Sequence, residues 1–252
     1  MTEQVLTGIE GLDELLGGGF PQGRTVLVIG GPGTGKTILG AQFLYKGMYD
    51  KNENGIYVSL DESKNHFYHE MKNFGWDFAK AEKERKFAFV DATRMSRVSM
   101  LAEKIYGEES KSLRGKQLPV DKLVEEMISK IHSIGAKRVA VDTLAGLFYR
   151  FPDPIERRTA VVDLIESLAD LGTPNIITTE LGHLGVERDA VEEEYLTHGV
   201  LMMQTLFSGG TTTRAIQVEK MRGTKVNPNL VPYSIDKNGI EVYPNMPLFA
   251  EK

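Results

Sequence analysis

The chain has 252 residues, with 30 Lys and Arg against 35 Asp and Glu, for a formal net charge of −5. That length is ample for a buried core, and the absence of Cys excludes a disulfide scaffold, a cysteine zinc site, an iron–sulfur cluster and a thiol nucleophile. The charge excludes a wholesale basic nucleic-acid binder, though not a local basic patch.

The first residues, Met1 to Gly8, carry neither a basic leader nor an apolar run. The longest apolar stretches, 25–29 and 200–203, fall far short of the ~20 residues of a membrane helix. The expectation is a cytoplasmic protein with no membrane segment.

In chain order, a β-branched run at 25–29 predicts a strand. Residues 36–49 follow as a helix, with Ile38, Leu39, Phe43, Leu44 and Met48 on one face. Strands are predicted at 55–60 and 87–91. Residues 92–120 are irregular, with a helix suggested by Val98, Leu101 and Ile105. A helix over 121–134 is marked by Leu123, Val124, Met127, Ile128 and Ile131. A strand at 138–142 leads to a helix over 155–171, which stops at Gly172 with Pro174 just beyond. A strand at 175–179 completes the alternation. Such a pattern implies an α/β fold, a mostly parallel twisted sheet flanked by helices. After residue 198 the pattern becomes antiparallel. Strands at 200–207 and 213–220 flank Ser208-Gly209-Gly210, and strands at 232–235 and 240–243 flank Lys237-Asn238-Gly239. We expect one domain over 1–252.

Gly30-Gly31-Pro32-Gly33-Thr34-Gly35-Lys36-Thr37 matches G-x-x-x-x-G-K-[ST] at every position, after a strand and at the start of a helix. Glycines let successive N–H groups turn toward phosphates, and the helix N-terminus adds partial positive charge. Lys36 has the reach for β and γ phosphates, and the Thr37 hydroxyl suits Mg²⁺. An accidental Gly-rich turn is the bland alternative. Chance produces the four fixed positions in about one chain of this length in a hundred. Gly31, Pro32, Gly33, Thr34, Gly35, Lys36, Thr37 and the adjoining Ile38 are therefore the candidate nucleotide contacts, with ATP and ADP as ligands.

A phosphate loop needs an acid for Mg²⁺ and one to activate water. Asp142 ends the apolar strand Arg138–Asp142 and fits the first role, so Thr37 and Asp142 are the candidate metal residues. Asp61 and Glu62 end another strand, on the side where open α/β sheets bind ligands. Either is a candidate base; the alternative is that they cap the helix starting near Ser63.

Thr7-Gly8-Ile9-x-Gly11-Leu12-Asp13-x-Leu15-Leu16-Gly17-Gly18-Gly19 resembles the entry segment of RecA-like P-loop ATPases of the KaiC branch. The phosphate loop, Leu60-Asp61-Glu62-Ser63, Val141-Asp142, Thr178-Thr179-Glu180 and Lys220-Met221-Arg222-Gly223-Thr224 follow in that family's order. The resemblance is to single-domain KaiC-like ATPases widespread in archaea, and it runs from Thr7 to Pro244. It implies ATP hydrolysis with Mg²⁺ at the interfaces of a homo-oligomeric ring, usually a hexamer. It implies that Lys220 and Arg222 reach a neighbour's γ-phosphate, that Thr224 contacts nucleotide, and that Glu62 is the catalytic glutamate. Asp61 stands where relatives have a second Glu, one methylene longer. The clock protein has two tandem copies of this domain, and its second copy carries a phosphorylated Ser-Thr pair. Glu194-Tyr195 occupies that place here, so its autokinase cycle is not expected. Glu180 stands where recombinases often have Gln.

The reading is a regulatory or timing ATPase acting on an unidentified protein partner. One alternative is a RecA-like recombinase paralogue that handles DNA. The loop 180–198 opposes it, with six acids (Glu180, Glu187, Asp189, Glu192, Glu193, Glu194) against Arg188. A basic surplus over 80–116 reads as a solvated face rather than a nucleic-acid contact. A third reading is a nucleotide-gated scaffold with negligible turnover.

Overall fold

The computed structural model describes residues 3–93, 119–148, 151, 153–181, 192–208 and 210–248. The helix expected around Val98–Ile105, the basic residues Arg94 to Lys116 and the loop residues 182–191 lie outside the described residues.

The entry segment contributes a small antiparallel pair, β1 (Gln4–Val5) with β2 (Phe20–Pro21), and a one-turn helix α1 (Leu12–Leu15). Asp13 Oδ1 accepts the Thr7 N–H at 2.7 Å, which folds the segment back on itself. Hydrophobic periodicity alone did not reveal these short elements.

The main sheet has nine strands in the lateral order β11-β10-β9-β8-β3-β7-β6-β4-β5. They are β3 (Thr25–Gly30), β4 (Gly55–Ser59), β5 (Phe87–Asp91), β6 (Arg138–Asp142), β7 (Asn175–Glu180), β8 (Gly199–Ser208), β9 (Thr211–Met221), β10 (Val231–Asp236) and β11 (Gly239–Val242). β3 to β8 pair in parallel. β9, β10 and β11 extend the sheet antiparallel beyond β8, as the turn signals predicted.

Successive strand residues point to opposite faces, so both faces bury apolar side chains. Val26, Val28, Tyr57 and Ala140 face α2 (Lys36–Asp50), α3 (Lys64–Met71) and α4 (Phe78–Lys83), which supply Leu39, Phe43, Phe67 and Phe78. Leu27, Ile29, Ile56 and Val139 face α5 (Pro119–Ile134) and α7 (Pro154–Asp170), which supply Leu123, Met127, Leu164 and Leu168. Between β6 and α7 lies the short α6 (Ala145–Phe148). Asp153 caps α7, accepting the N–H groups of Ile155 and Glu156 at 2.9 and 3.0 Å.

One buried cation ties the entry segment to this frame. Arg138, 1% exposed at the start of β6, pairs with Glu53 at 2.5 Å. Its guanidinium also donates to the carbonyls of Phe43 and Leu6, both at 2.9 Å, and lies over the Phe43 ring. These bonds offset the cost of burying the charge. Gly47 makes room for it, since a Cβ there would collide with Arg138 Nε. His198, just before β8 in the chain, is half-buried. Its Nδ1 accepts the Thr25 N–H at 3.4 Å, and burial lowers its pKa.

Candidate functional site

The phosphate-loop motif spans the turn between β3 and α2, at the C-terminal end of the central strand. Gly33 and Gly35 have φ of 74° and 92°, a backbone that side-chain-bearing residues rarely adopt. Cβ atoms at Gly31 and Gly33 would meet nothing within 4 Å, so this stretch of loop faces open space. Lys36 Nζ folds back over the loop and donates to the carbonyls of Gly30 and Gly31 at 2.8 and 3.1 Å. Burial lowers the Lys36 pKa, while Asp142 and Glu180 oppose that shift. Glu180 ends β7 directly beside Gly30.

The strand register brings the two candidate metal residues together. Thr37, in the first turn of α2, donates to Asp142 Oδ2 at 2.7 Å. Tyr57 Oη donates to the same oxygen at 2.6 Å, and Thr178 Oγ1 donates to Oδ1. A hydroxyl and a carboxylate form an all-oxygen donor set, which suits a hard cation such as Mg²⁺. The chemistry of these residues therefore fits the ion that the motif implies.

Asp61 and Glu62 follow β4 on the same edge of the sheet, and they differ. Asp61 is exposed, whereas Glu62 is half-buried. Burial, followed by repulsion from Glu70, Asp142 and Asp61, raises the Glu62 pKa to about 7. Glu62 N–H donates to Ser59 Oγ at 2.9 Å, which fixes the backbone beneath its carboxylate. His66 Nδ1 lies 3.8 Å from that carboxylate.

Lys220, Arg222 and Thr224 are not part of this cluster. Lys220 pairs with Val200 in the β8–β9 register, and Val200 pairs with Leu27 near the start of β3. Arg222 N–H bonds to the His198 carbonyl, beside Thr25. Both cations therefore sit toward the N-terminal end of β3, away from the phosphate loop. Lys220 Nζ donates to the carbonyls of Glu194 and Thr197 at 2.6 and 2.7 Å. Arg222 donates to the Tyr195 carbonyl at 3.0 Å. These acceptors lie at the C-terminal end of α8 (Glu192–Leu196), where exposed carbonyls attract cations. Burial and the neighbouring Arg222 lower the Lys220 pKa. Thr224 follows Arg222 in the turn closed by its N–H to the Met221 carbonyl.

Several residues that touch the loop were missed by sequence reasoning. Tyr233 Oη donates to the Thr34 carbonyl at 2.5 Å, and Arg214 Nε donates to the Gly33 carbonyl at 3.4 Å. Ile235 Cδ1 lies 2.6 Å from where a Gly35 Cβ would be. Gln42 bonds both the N–H and the carbonyl of Ile240. The available signal for Tyr57 was a lone hydroxyl-bearing aromatic within the apolar strand β4. The C-terminal contacts are more than 180 residues away in the chain and left no local signature.

A family model described as ATPase: KaiC matches residues 5–246. A UPF0273 protein of Methanocaldococcus jannaschii is 36% identical over 250 residues, which cover 96% of this chain and 97% of that one. The circadian clock protein KaiC2 of Synechocystis sp. is 32% identical over 238 residues, 94% of this chain but 39% of that one. The crystal structure of a KaiC-like protein from Pyrococcus horikoshii OT3 superposes with a TM-score of 0.80 at 34% identity, covering 97% of this chain and all of that one. With its RecA-like fold and phosphate-loop geometry, the chain belongs to the KaiC family of ATPases, and its domain is a nucleotide-binding ATPase domain.

Proposed function

We propose that this protein binds ATP with Mg²⁺ at residues 31–38 and hydrolyses it at sites completed by a neighbouring copy. The carrying observation is a division of the candidate residues between two ends of the sheet. Lys36, Thr37, Asp142 and Glu62 cluster at one end, and Lys220 and Arg222 lie toward the other. Two cations at the end of β9, this far from the loop, suit a head-to-tail contact, the kind that forms a ring when its rotation closes. A hexameric ring follows the family pattern, with Thr224 as a further contact on the neighbour's nucleotide.

On this reading Lys36 leaves the Gly30 and Gly31 carbonyls to bind β and γ phosphates. Thr37 and Asp142 would hold Mg²⁺, which would supply neutralisation of the phosphate charge when bound. Glu62 takes a proton from water aligned on the γ-phosphate, and Asp61 assists from its exposed position. Arg222 and Lys220 of the next copy stabilise the charge that develops on transfer. Hydrolysis then depends on assembly, which suits a regulatory or timing role toward a protein partner in the cytoplasm.

The test is complementation. Arg222→Ala and Glu62→Gln chains are each expected to be inactive alone. Mixed and allowed to exchange, they form some interfaces in which an intact Glu62 site meets an intact Arg222 edge, and part of the activity returns. Demonstrated exchange by mass with no recovery would overturn the shared-site reading. Nucleotide binding with no turnover at any protein concentration would favour the scaffold reading instead.

A further inference from the structure

We infer that Tyr57, acting with Thr178, is a positioning residue that orients the Asp142 carboxylate for the metal ion of the nucleotide complex. The inference rests on the ATP–Mg²⁺ reading above and extends it to residues outside the motifs.

The geometry comes from the register. Tyr57 pairs with Ala140 and Ser59 with Asp142, so Tyr57 and Asp142 point to the same face of the sheet, toward α2. The phenol ring lies beneath the carboxylate, 1% exposed and stacked on Phe67 with ring centres 4.1 Å apart. A second stack, on Phe89 at 5.7 Å, leaves the ring little freedom. Its hydroxyl meets Asp142 Oδ2 at 2.6 Å, and Thr178 reaches Oδ1 from β7. Both carboxylate oxygens are thereby held from the protein side. Thr37, also on Oδ2, lies on the phosphate-loop side, in the first turn of α2.

A tyrosine does more here than fill space. Phenylalanine would stack as well on Phe67 and Phe89 but would leave one donor fewer on a half-buried carboxylate. Removing a donor has two opposing effects on the metal. It leaves more negative charge on Asp142, which favours a cation, and it frees the carboxylate to rotate. Mg²⁺ demands near-ideal octahedral geometry, so orientation dominates. Hydrogen-bond partners of metal-binding side chains typically change metal affinity by about 10–100-fold when removed.

The measurement is affinity for a fluorescent ATP analogue, with Mg²⁺ and with EDTA, on the full chain. The ratio of the two dissociation constants reports how much the metal tightens binding. Tyr57→Phe is expected to reduce that ratio about tenfold. Affinity in EDTA should stay within about twofold, because the hydroxyl reaches the loop only at Thr37, which the reading assigns to the metal ion, and touches none of the loop's backbone donors. Thr178→Val removes the other donor and is the second variant, should Tyr57→Phe fold poorly by circular dichroism. A folded variant with an unchanged or increased ratio overturns the inference while leaving the ATPase reading intact. Wild-type protein that binds no nucleotide, or binds it indifferently to Mg²⁺, overturns both.

Discussion

The hydroxyl of Tyr233, on β10, donates a 2.5 Å hydrogen bond to the carbonyl of Thr34, in the middle of the phosphate loop. The antiparallel extension thus braces the loop from outside the parallel sheet. Gly35 lies against Ile235 of the same strand. Burial keeps Tyr233 protonated throughout the neutral range, so it remains a donor. Tyr233→Phe leaves the Thr34 carbonyl without this donor and should cost about 1–2 kcal/mol of stability. It should also weaken nucleotide binding more than a surface substitution of equal thermal effect. Urea unfolding and nucleotide titration on the same samples read the two effects, and unchanged affinity would reduce the contact to a structural one.

Lys36→Ala should abolish ATP binding or turnover without unfolding the chain. Its ammonium contacts only carbonyls of its own loop in the described structure, so little of the fold depends on it. Normal affinity and turnover in a folded variant would refute the phosphate-loop assignment.

Glu62→Gln should retain nucleotide and lose hydrolysis by about ten- to ten-thousandfold, the usual worth of positioned proton transfer. Wild-type turnover should rise with pH along a limb centred near 7, because the raised Glu62 must ionise to act as a base. The stability effect has the opposite direction. A carboxyl whose pKa is raised on folding stabilises the fold at low pH and loses that contribution as pH rises through about 7. Glu62→Gln should therefore raise the melting temperature more at pH 8 than at pH 5. If Asp61→Asn is the more damaging to turnover, the two carboxylates have exchanged roles.

Gly47→Ala should destabilise the protein by about 1–3 kcal/mol, the usual cost of overpacking a filled interior. The new methyl would collide with Arg138 Nε, and Arg138 cannot retreat without breaking its pairing with Glu53. Arg138→Ala should cost about 3–5 kcal/mol by leaving Glu53 and the carbonyls of Leu6 and Phe43 without their donor. Chemical denaturation of both variants checks the order.

The local structure of this protein was legible in its sequence. Strands β3, β4, β5, β6 and β7 and helices α2, α5 and α7 fell close to their expected bounds, because alternation and 3–4 spacing are properties of short segments. The placement of the phosphate-loop motif, Asp142 and Glu62 at one edge of the sheet was legible for the same reason. Each is a residue type at the end of a strand or the start of a helix, where the chain direction dictates which edge it faces. What the sequence left undetermined depends on lateral strand order. Nothing near Tyr57 says that β4 lies beside β6, yet that adjacency puts its hydroxyl on Asp142. Nothing near Tyr233 or Arg214 says that β9 and β10 pass the phosphate loop, because those contacts span more than 180 residues. The position of Lys220 and Arg222 toward the far end of β3 follows from a register of backbone hydrogen bonds between β8 and β9. Backbone pairing is blind to side-chain identity, so these relations were decided only when the whole sheet assembled and buried both of its faces.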